Sequence, residues 1–143
     1  GFQAKVDQGV AARLHHEQTG EVLTIPAAAT EGDAAMTLQE TCDYYTRRAA
    51  HPNYQNVFAV MSREHFLNFD VQPAAARLRV PMVMVHSEKA LSPAWARRFF
   101  DALTVPKQIH WLSSRGQVDF YDDPSLVAQS CELLVTHLKM HLT

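Results

Sequence analysis

Residues 80–93 read VPMVMVHSEKALSP, and this stretch decides the fold. Its first six residues are apolar without interruption, which is typical of a strand buried on both faces in a parallel sheet. Pro81 is compatible with a strand because it lies among the first residues. Ser92 and Pro93 then predict a helix start, with serine as the N-cap and proline at the first helical position.

The residues after this stretch continue the alternation of strand and helix. A second strand is predicted over 107–112, and Asp123-Pro124 repeats the cap-plus-proline signal before a last helix. The predicted apolar faces of the two helices comprise Trp95, Phe99, Ala102 and Leu103 in the first, and Val127, Cys131, Leu134 and Leu138 in the last. Residues 80–142 therefore read β-α-β-α, which implies a parallel strand pair joined by a right-handed crossover.

Residues 1–79 are predicted to be almost entirely helical. We expect a first helix that stops at Gly20, a second that ends before Pro52 and a third over about 54–69. Their apolar stripes are Phe2, Val6, Val10 and Leu14; Leu38, Cys42, Tyr45 and Ala49; and Phe58, Met61, His65 and Phe69. Only 21–25 could form a short strand.

The shortage of strands is itself informative. A stable sheet needs about three or more strands with both faces covered, and this sequence offers two long ones. We therefore expect the remaining strands to come from a missing N-terminal part of the same domain or from a second copy of the chain. The start at Gly1, without an initiating methionine, agrees with a fragment.

Four segments together resemble the α/β-hydrolase superfamily, in particular dienelactone-hydrolase-like and X-Pro-dipeptidyl-peptidase-like esterases. Residues 80–93 are similar to the penultimate core strand of those enzymes, and 94–103 and 107–112 to the helix and strand that follow it. Residues 115–124, RGQVDFYDDP, are similar to the segment that carries the catalytic histidine. The resemblance implies that 71–143 is the C-terminal part of an α/β-hydrolase core and that 1–70 is a helical lid-like segment before it.

What the resemblance implies for activity is an ester, lactone or similar carbonyl substrate, with an altered catalytic set. Lys89 occupies the usual position of the acid, so the neighbouring Glu88 is the candidate acid. Gln117 occupies the histidine position, and glutamine cannot transfer a proton because it does not titrate. The nucleophile elbow G-x-S-x-G is absent, so a nucleophile would lie upstream of Gly1, and this chain alone is predicted to be inactive.

Three aromatic or thioether side chains are candidates for contact with a substrate. They are Phe120, which follows Gln117, and Phe58 and Met61 in the lid-like segment. For each candidate a structural interpretation stays open: Glu88 as a solvated loop carboxylate, Gln117 as a turn residue and the Phe58 stripe as packing. Two alternative functions also stay open, a non-catalytic ligand-binding protein and a self-associating module.

Composition excludes several classes of function. Thirteen basic against 15 acidic side chains give a net charge of -2, which does not suit nucleic-acid binding. We predict no membrane span, no cofactor and no metal. His137 and His141 have a spacing that can bind a metal, but an interaction with terminal helix carbonyls is favoured. The two cysteines are expected to be reduced and buried in a cytoplasmic protein.

Overall fold

A computed structural model describes residues 1–142 of the chain. The chain divides into two compact units, Gly1–Asp70 and Val71–Thr143. The roles of these two parts as a lid and a core remain predictions.

The first unit is built on one long helix and several short elements. These are α1 (Phe2–Thr19), β1 (Thr24–Ile25), α2 (Gln39–Asp43), a π-helical turn (Tyr44–Arg48), β2 (Phe58–Ala59), a 3₁₀ turn (Val60–Ser62) and α3 (Arg63–Phe66). Helix α1 ends where Gly20 adopts a left-handed conformation with φ of 75°. The predicted first and second helices are thus present, the second as α2 and its π-helical continuation.

The predicted third helix over 54–69 is wrong, and so is the prediction that residues 1–79 are almost entirely helical. Phe58 and Ala59 instead pair antiparallel with Ile25 and Thr24. The Asn56 side chain donates to the Ala28 carbonyl at 2.9 Å and accepts from the Ala28 amide at 2.7 Å. These contacts with a distant segment hold the backbone extended, so helical geometry begins only after Ala59.

Helix α1 and the segment 60–66 form the packed part of the first unit. Val6 and Ala12 of α1 are buried, and between them Gly9 lies directly against the backbone of α3. Arg63 is buried beside them and donates to both carboxylate oxygens of Asp33, at 2.6 and 2.9 Å, and to Gln8 at 2.8 Å. This bidentate pair satisfies a charge that would be costly to bury alone.

The second unit contains the predicted β-α-β-α order. After a 3₁₀ segment (Gln72–Arg77) its elements are β3 (Met82–His86), α4 (Pro93–Ala102), β4 (Lys107–Trp111), α5 (Asp119–Asp122) and α6 (Pro124–His141). Strands β3 and β4 are parallel and in register from Met82 opposite Lys107 to His86 opposite Trp111. The predicted parallel pair and its helical crossover are confirmed.

The backbone amides and carbonyls at the helix ends of this unit find hydrogen-bond partners in different ways. The Asp123 carboxylate accepts hydrogen bonds from the amides of Ser125 and Leu126, as its position predicts. Ser92 precedes Pro93 but does not cap α4 with its side chain, because its backbone is left-handed, with φ of 54°. At the other end of α4, Lys107 Nζ donates to three backbone carbonyls, those of Phe100, Asp101 and Leu103.

Burial in the second unit differs from the predicted pattern. On α6 the buried residues are Leu126 and His137, whereas Leu134 and Leu138 of the predicted apolar stripe are 40% and 48% exposed and Cys131 is exposed as well. Trp95 of α4 is 54% exposed. Every residue of β3 is only half-buried. The reason is geometric, since a sheet of two strands is too narrow to cover the apolar faces packed near it.

The cysteines are free, as expected, but not both buried: Cys42 is half-buried and Cys131 exposed. Among the described residues, none of the helices combines the length and apolar character needed to cross a membrane.

We expect Gly9→Ala to destabilise the chain. A Cβ at this position would lie 2.5 Å from the Glu64 amide nitrogen. The resulting overpacking costs about 1–3 kcal/mol and outweighs the gain of roughly 1 kcal/mol that alanine brings within a helix. Urea denaturation followed by circular dichroism measures the change. Gln18→Ala, at an exposed position of the same helix, is the control; equal stability of the two variants would contradict the close packing.

Candidate functional site

The candidate site lies where the two parallel strands end. Loop 87–92 follows β3 and loop 112–118 follows β4, so both leave the carboxyl edge of the strand pair. In open α/β sheets ligands bind outside this edge. A cavity of about 370 Å³ is present there, lined by Ser87, Glu88, Lys89, Trp111, Leu112, Ser113 and Ser114.

Glu88, the candidate acid, is held by an arginine of α4. Arg97 donates to both carboxylate oxygens of Glu88, one of them at 3.1 Å, and its guanidinium lies 3.9 Å from the centroid of the Trp111 ring. Hydrogen bonding to Arg97 holds the pKa of the Glu88 carboxyl below its ordinary value of 4.5. Glu88 is therefore ionised at neutral pH and cannot act as a proton donor.

Gln117, at the position where the resemblance implies a histidine, joins the two loops. Its side-chain oxygen accepts from the Leu91 amide at 3.0 Å, and its amide group donates to the Tyr121 hydroxyl at 3.3 Å. The structure therefore brings the loops of the two candidate catalytic residues together. Because glutamine donates and accepts without titrating, its chemistry here is orientation by hydrogen bonds.

Ser87 and Ser114 form a contact between the two loops that the sequence does not predict. Ser87 is 1% exposed, and its hydroxyl oxygen accepts from Ser114 Oγ at 2.8 Å and from the Lys89 amide at 3.1 Å. His86 Nδ1 lies 2.9 Å from the Ser87 carbonyl oxygen, and its ring packs against Trp111. Ser87 thus fixes the loops to each other through its hydrogen bond with Ser114.

The turn that carries Gln117 is fixed by Asp119, another residue that sequence analysis missed. Asp119 is 5% exposed and accepts from the Arg115 backbone amide at 2.8 Å and from its guanidinium at 2.7 and 3.1 Å. The same carboxylate raises the pKa of Arg115. The spacing of four residues between this arginine and this aspartate is the sequence signal from which their ion pair could have been predicted. Phe120 follows directly in α5 and is half-buried.

Phe58 and Met61, the other candidate substrate contacts, belong to the first unit. Phe58 is in β2 and Met61 in the 3₁₀ turn that follows. Phe58 lines a cavity of about 60 Å³ together with Lys5, Ala34, Ala35, Arg63, Phe66 and Leu67. That volume holds a few water molecules or one small group. A substrate-binding role for Phe58, Met61 and Phe120 stays a prediction.

Solved structures support the fold. The chain is similar to DcsB, solved with a substrate analogue, at 13% identity and a TM-score of 0.76, covering 97% of this chain and 50% of DcsB. It is similar to a hypothetical protein of Pseudomonas aeruginosa at 20% identity and a TM-score of 0.70, over 97% of this chain and 44% of that one. It is similar to the α/β hydrolase GrgF from Penicillium sp. sh18 at 19% identity and a TM-score of 0.69, over 96% of this chain and 50% of GrgF.

These similarities, with the parallel pair and its crossover, show an α/β-hydrolase-like fold. The predicted resemblance is confirmed at the level of fold, and the chain spans about half the length of the solved structures it matches. No protein-family model matches the chain, and no curated protein sequence matches it.

We expect the Glu88 carboxyl to titrate below its ordinary value and to return towards it in Arg97→Gln. Loss of the guanidinium removes the hydrogen bonds that stabilise the ionised form. Because the folded-state pKa is depressed, the contribution of this pair to stability is present above the ordinary value and is lost as the pH falls through the folded-state pKa. Carbon-detected NMR titration of the Glu side chains measures the midpoint.

Arg98→Gln is the matched control for this titration. Arg98 lies beside Arg97 in the sequence, but its guanidinium is placed over Trp95. A midpoint for Glu88 that is the same in the unaltered chain and in Arg97→Gln would show that the ion pair does not control this carboxyl.

Proposed function

We propose that this chain is part of an α/β-hydrolase-type protein that acts on an ester, a lactone or a similar carbonyl compound, with its nucleophile on polypeptide outside these 143 residues. The observation that supports this is the meeting of the Glu88 and Gln117 loops at the carboxyl edge of β3 and β4, through the hydrogen bond from Leu91 to Gln117. This edge is where open α/β sheets place their ligands. The free thiols favour a reducing, cytoplasmic compartment.

In this proposal the two candidate catalytic residues have different roles. Glu88 supplies a negative charge at the site, and Gln117 orients a substrate or a water molecule by hydrogen bonds. Phe120 contacts the apolar part of the substrate. Phe58 and Met61 are proposed substrate contacts within the lid-like segment 1–70.

Non-catalytic ligand binding is the second candidate function. It is favoured because Glu88 and Gln117 both already have hydrogen-bond partners within the chain. Gln117 already bonds Leu91 and Tyr121, and Glu88 is paired with Arg97. Neither group transfers a proton in that arrangement, since one does not titrate and the other is kept ionised. The cavity of about 370 Å³ is large enough for a small ligand without any reaction.

The remaining strands of the domain are the proposed partner of the second unit. Within residues 1–142, β3 and β4 pair only with each other, and β3 is half-buried although all its residues except His86 are apolar. An unpaired strand edge is a template for another strand. Because the matched structures are about twice as long as this chain, the occupant we propose is the missing part of the same domain.

The edges of β3 and β4 left unpaired within residues 1–142 and the exposed apolar residues at the end of α6 together form what we call the docking surface. Leu134, Val135 and Leu138 of α6, and Leu142 directly after it, are between 40% and 76% exposed and recur at helical spacing. A large exposed apolar patch marks an interaction surface. A second copy of the chain is the alternative occupant of this surface, and the association experiment described below distinguishes it from the missing part of the domain.

We expect residues 1–143 alone to hydrolyse p-nitrophenyl acetate no faster than buffer does. Acyl transfer in this fold needs a nucleophile beside a general base. Residues 1–143 contain no nucleophile elbow and position 117 holds no titrating group, so in the full-length protein both the nucleophile and the base would come from outside this chain. A fluorophosphonate probe should leave the isolated chain unlabelled and should label a serine outside it in the full-length protein. Saturable turnover by the isolated chain, with one labelled site per molecule, would contradict the proposal. An unlabelled full-length protein that retains a ligand would favour the second candidate.

In the full-length protein, Gln117→His should introduce a titration near pH 6.5, the ordinary pKa of histidine, into the rate profile. The pH dependence of kcat/KM for an activated ester measures it. Gln108→His is the matched control, because Gln108 lies near the opposite end of β4. A profile that is the same for Gln117→His and for the unaltered protein would place position 117 outside the site.

We expect residues 1–143 alone to self-associate, because an open strand edge and an apolar helix face are exposed together. Leu134→Lys combined with Leu138→Lys should reduce the association, and Ala128→Lys, at an exposed position of the same helix, should not. Sedimentation velocity over a concentration series measures the species present. A stable monomer with sharp unfolding would contradict the docking surface, and a discrete dimer of the full-length protein through α6 would favour the second copy.

A further inference from the structure

A pair of histidines near the end of α6 lies away from the candidate site. His137 and His141 are one helical turn apart, and their ring centroids are 4.6 Å apart. Imidazoles at this spacing on a helix present their nitrogens to the same side, which allows one metal ion to bind both. The pair lies near the first residues of β3 and β4, at the end of the strands opposite to the Glu88 and Gln117 loops.

His137 is in an unusual environment for a polar side chain. It is only 7% exposed, and its Nδ1 atom is buried without a hydrogen-bond partner. A buried polar atom without a partner costs about 1–3 kcal/mol and calls for an explanation, such as an ion that binds there. The expected interaction of these histidines with terminal helix carbonyls does not account for this atom.

The cavity beside the pair provides the chemistry of a metal site. It measures about 250 Å³ and is lined by Met82, Pro106, Lys107, Gln108, His137, Met140 and His141. Imidazole nitrogen and thioether sulfur are ligands that copper prefers. The nearby positive charge of Lys107 does not prevent a metal ion from binding in this cavity, because its ammonium group donates to three carbonyls at the end of α4.

We propose that His137 and His141 bind a copper ion, with the thioether of Met82 or Met140 as a further ligand. Residues 1–142 contain no group of three or more His, Cys, Asp and Glu side chains that could hold a metal, so this site depends on methionine for its third protein ligand. Zinc should bind more weakly, because the affinity of nitrogen ligands rises to copper in the divalent series and thioether sulfur is a soft ligand.

Titration of residues 1–143, free of any affinity tag, with Cu(II) and Zn(II) separately tests the site by calorimetry. Competition with bicinchoninate under reducing conditions measures Cu(I). We expect one copper ion per chain and a Kd for copper at least about tenfold lower than that for zinc. His141→Ala should weaken copper binding at least about tenfold. Because His141 is exposed, this substitution leaves the fold intact.

His16→Ala and His51→Ala are the control variants. His16 also has a buried Nδ1 without a partner, but it is in the first unit, and His51 is exposed. Electron paramagnetic resonance of the Cu(II) form should show coupling to two imidazole nitrogens in the unaltered chain and to one in His141→Ala. Copper binding that is unchanged in His141→Ala, or lost in His16→Ala, would overturn the assignment. Tighter zinc than copper binding would overturn the choice of metal.

Discussion

The second unit depends on how the backbone donors and acceptors of its two parallel strands find hydrogen-bond partners. Each strand offers donors and acceptors on two edges, and β3 and β4 satisfy one edge each by pairing with each other. The crossover helix α4 and helix α6 pack near this narrow sheet, which cannot cover their apolar residues. The half-buried β3 and the exposed leucines of α6 follow from the same cause.

The same strand pair positions the candidate site. Because the strands are parallel, their carboxyl ends meet at one edge, and the loops after them are neighbours although they are far apart in the sequence. Three short-range connections then fix these loops: Arg97 with Glu88, Leu91 with Gln117, and Ser114 with Ser87. The Glu88 pair is exposed and adds little to stability, so its effect is on the position and ionisation of the carboxylate.

The two ends of the strand pair offer different chemistry. At the carboxyl end the polar groups already bind each other, which suits the recognition of a ligand more than proton transfer. At the opposite end, His137 has a buried nitrogen without a partner. An unsatisfied group of this kind is costly, whereas the bonded groups of the loops are not. Copper binding at His137 and His141 is therefore proposed independently of any reaction at the carboxyl end of the strands.

The sequence by itself determined the elements whose signals are local. The apolar run from Val80, the proline-initiated helices and the 3.6-residue spacing of α6 specified β-α-β-α, because each depends on neighbours in the chain. It also determined that Gln117 carries no titrating group. Only the tertiary structure decided the rest: that Asn56 holds 56–59 out of a helix, that Leu126 and His137 rather than Leu134 are buried, and that Arg97 pairs with Glu88. Periodicity shows that a helix has an apolar side, but which of two overlapping faces is buried depends on the width of the sheet beneath it, and that width is a property of the assembled domain.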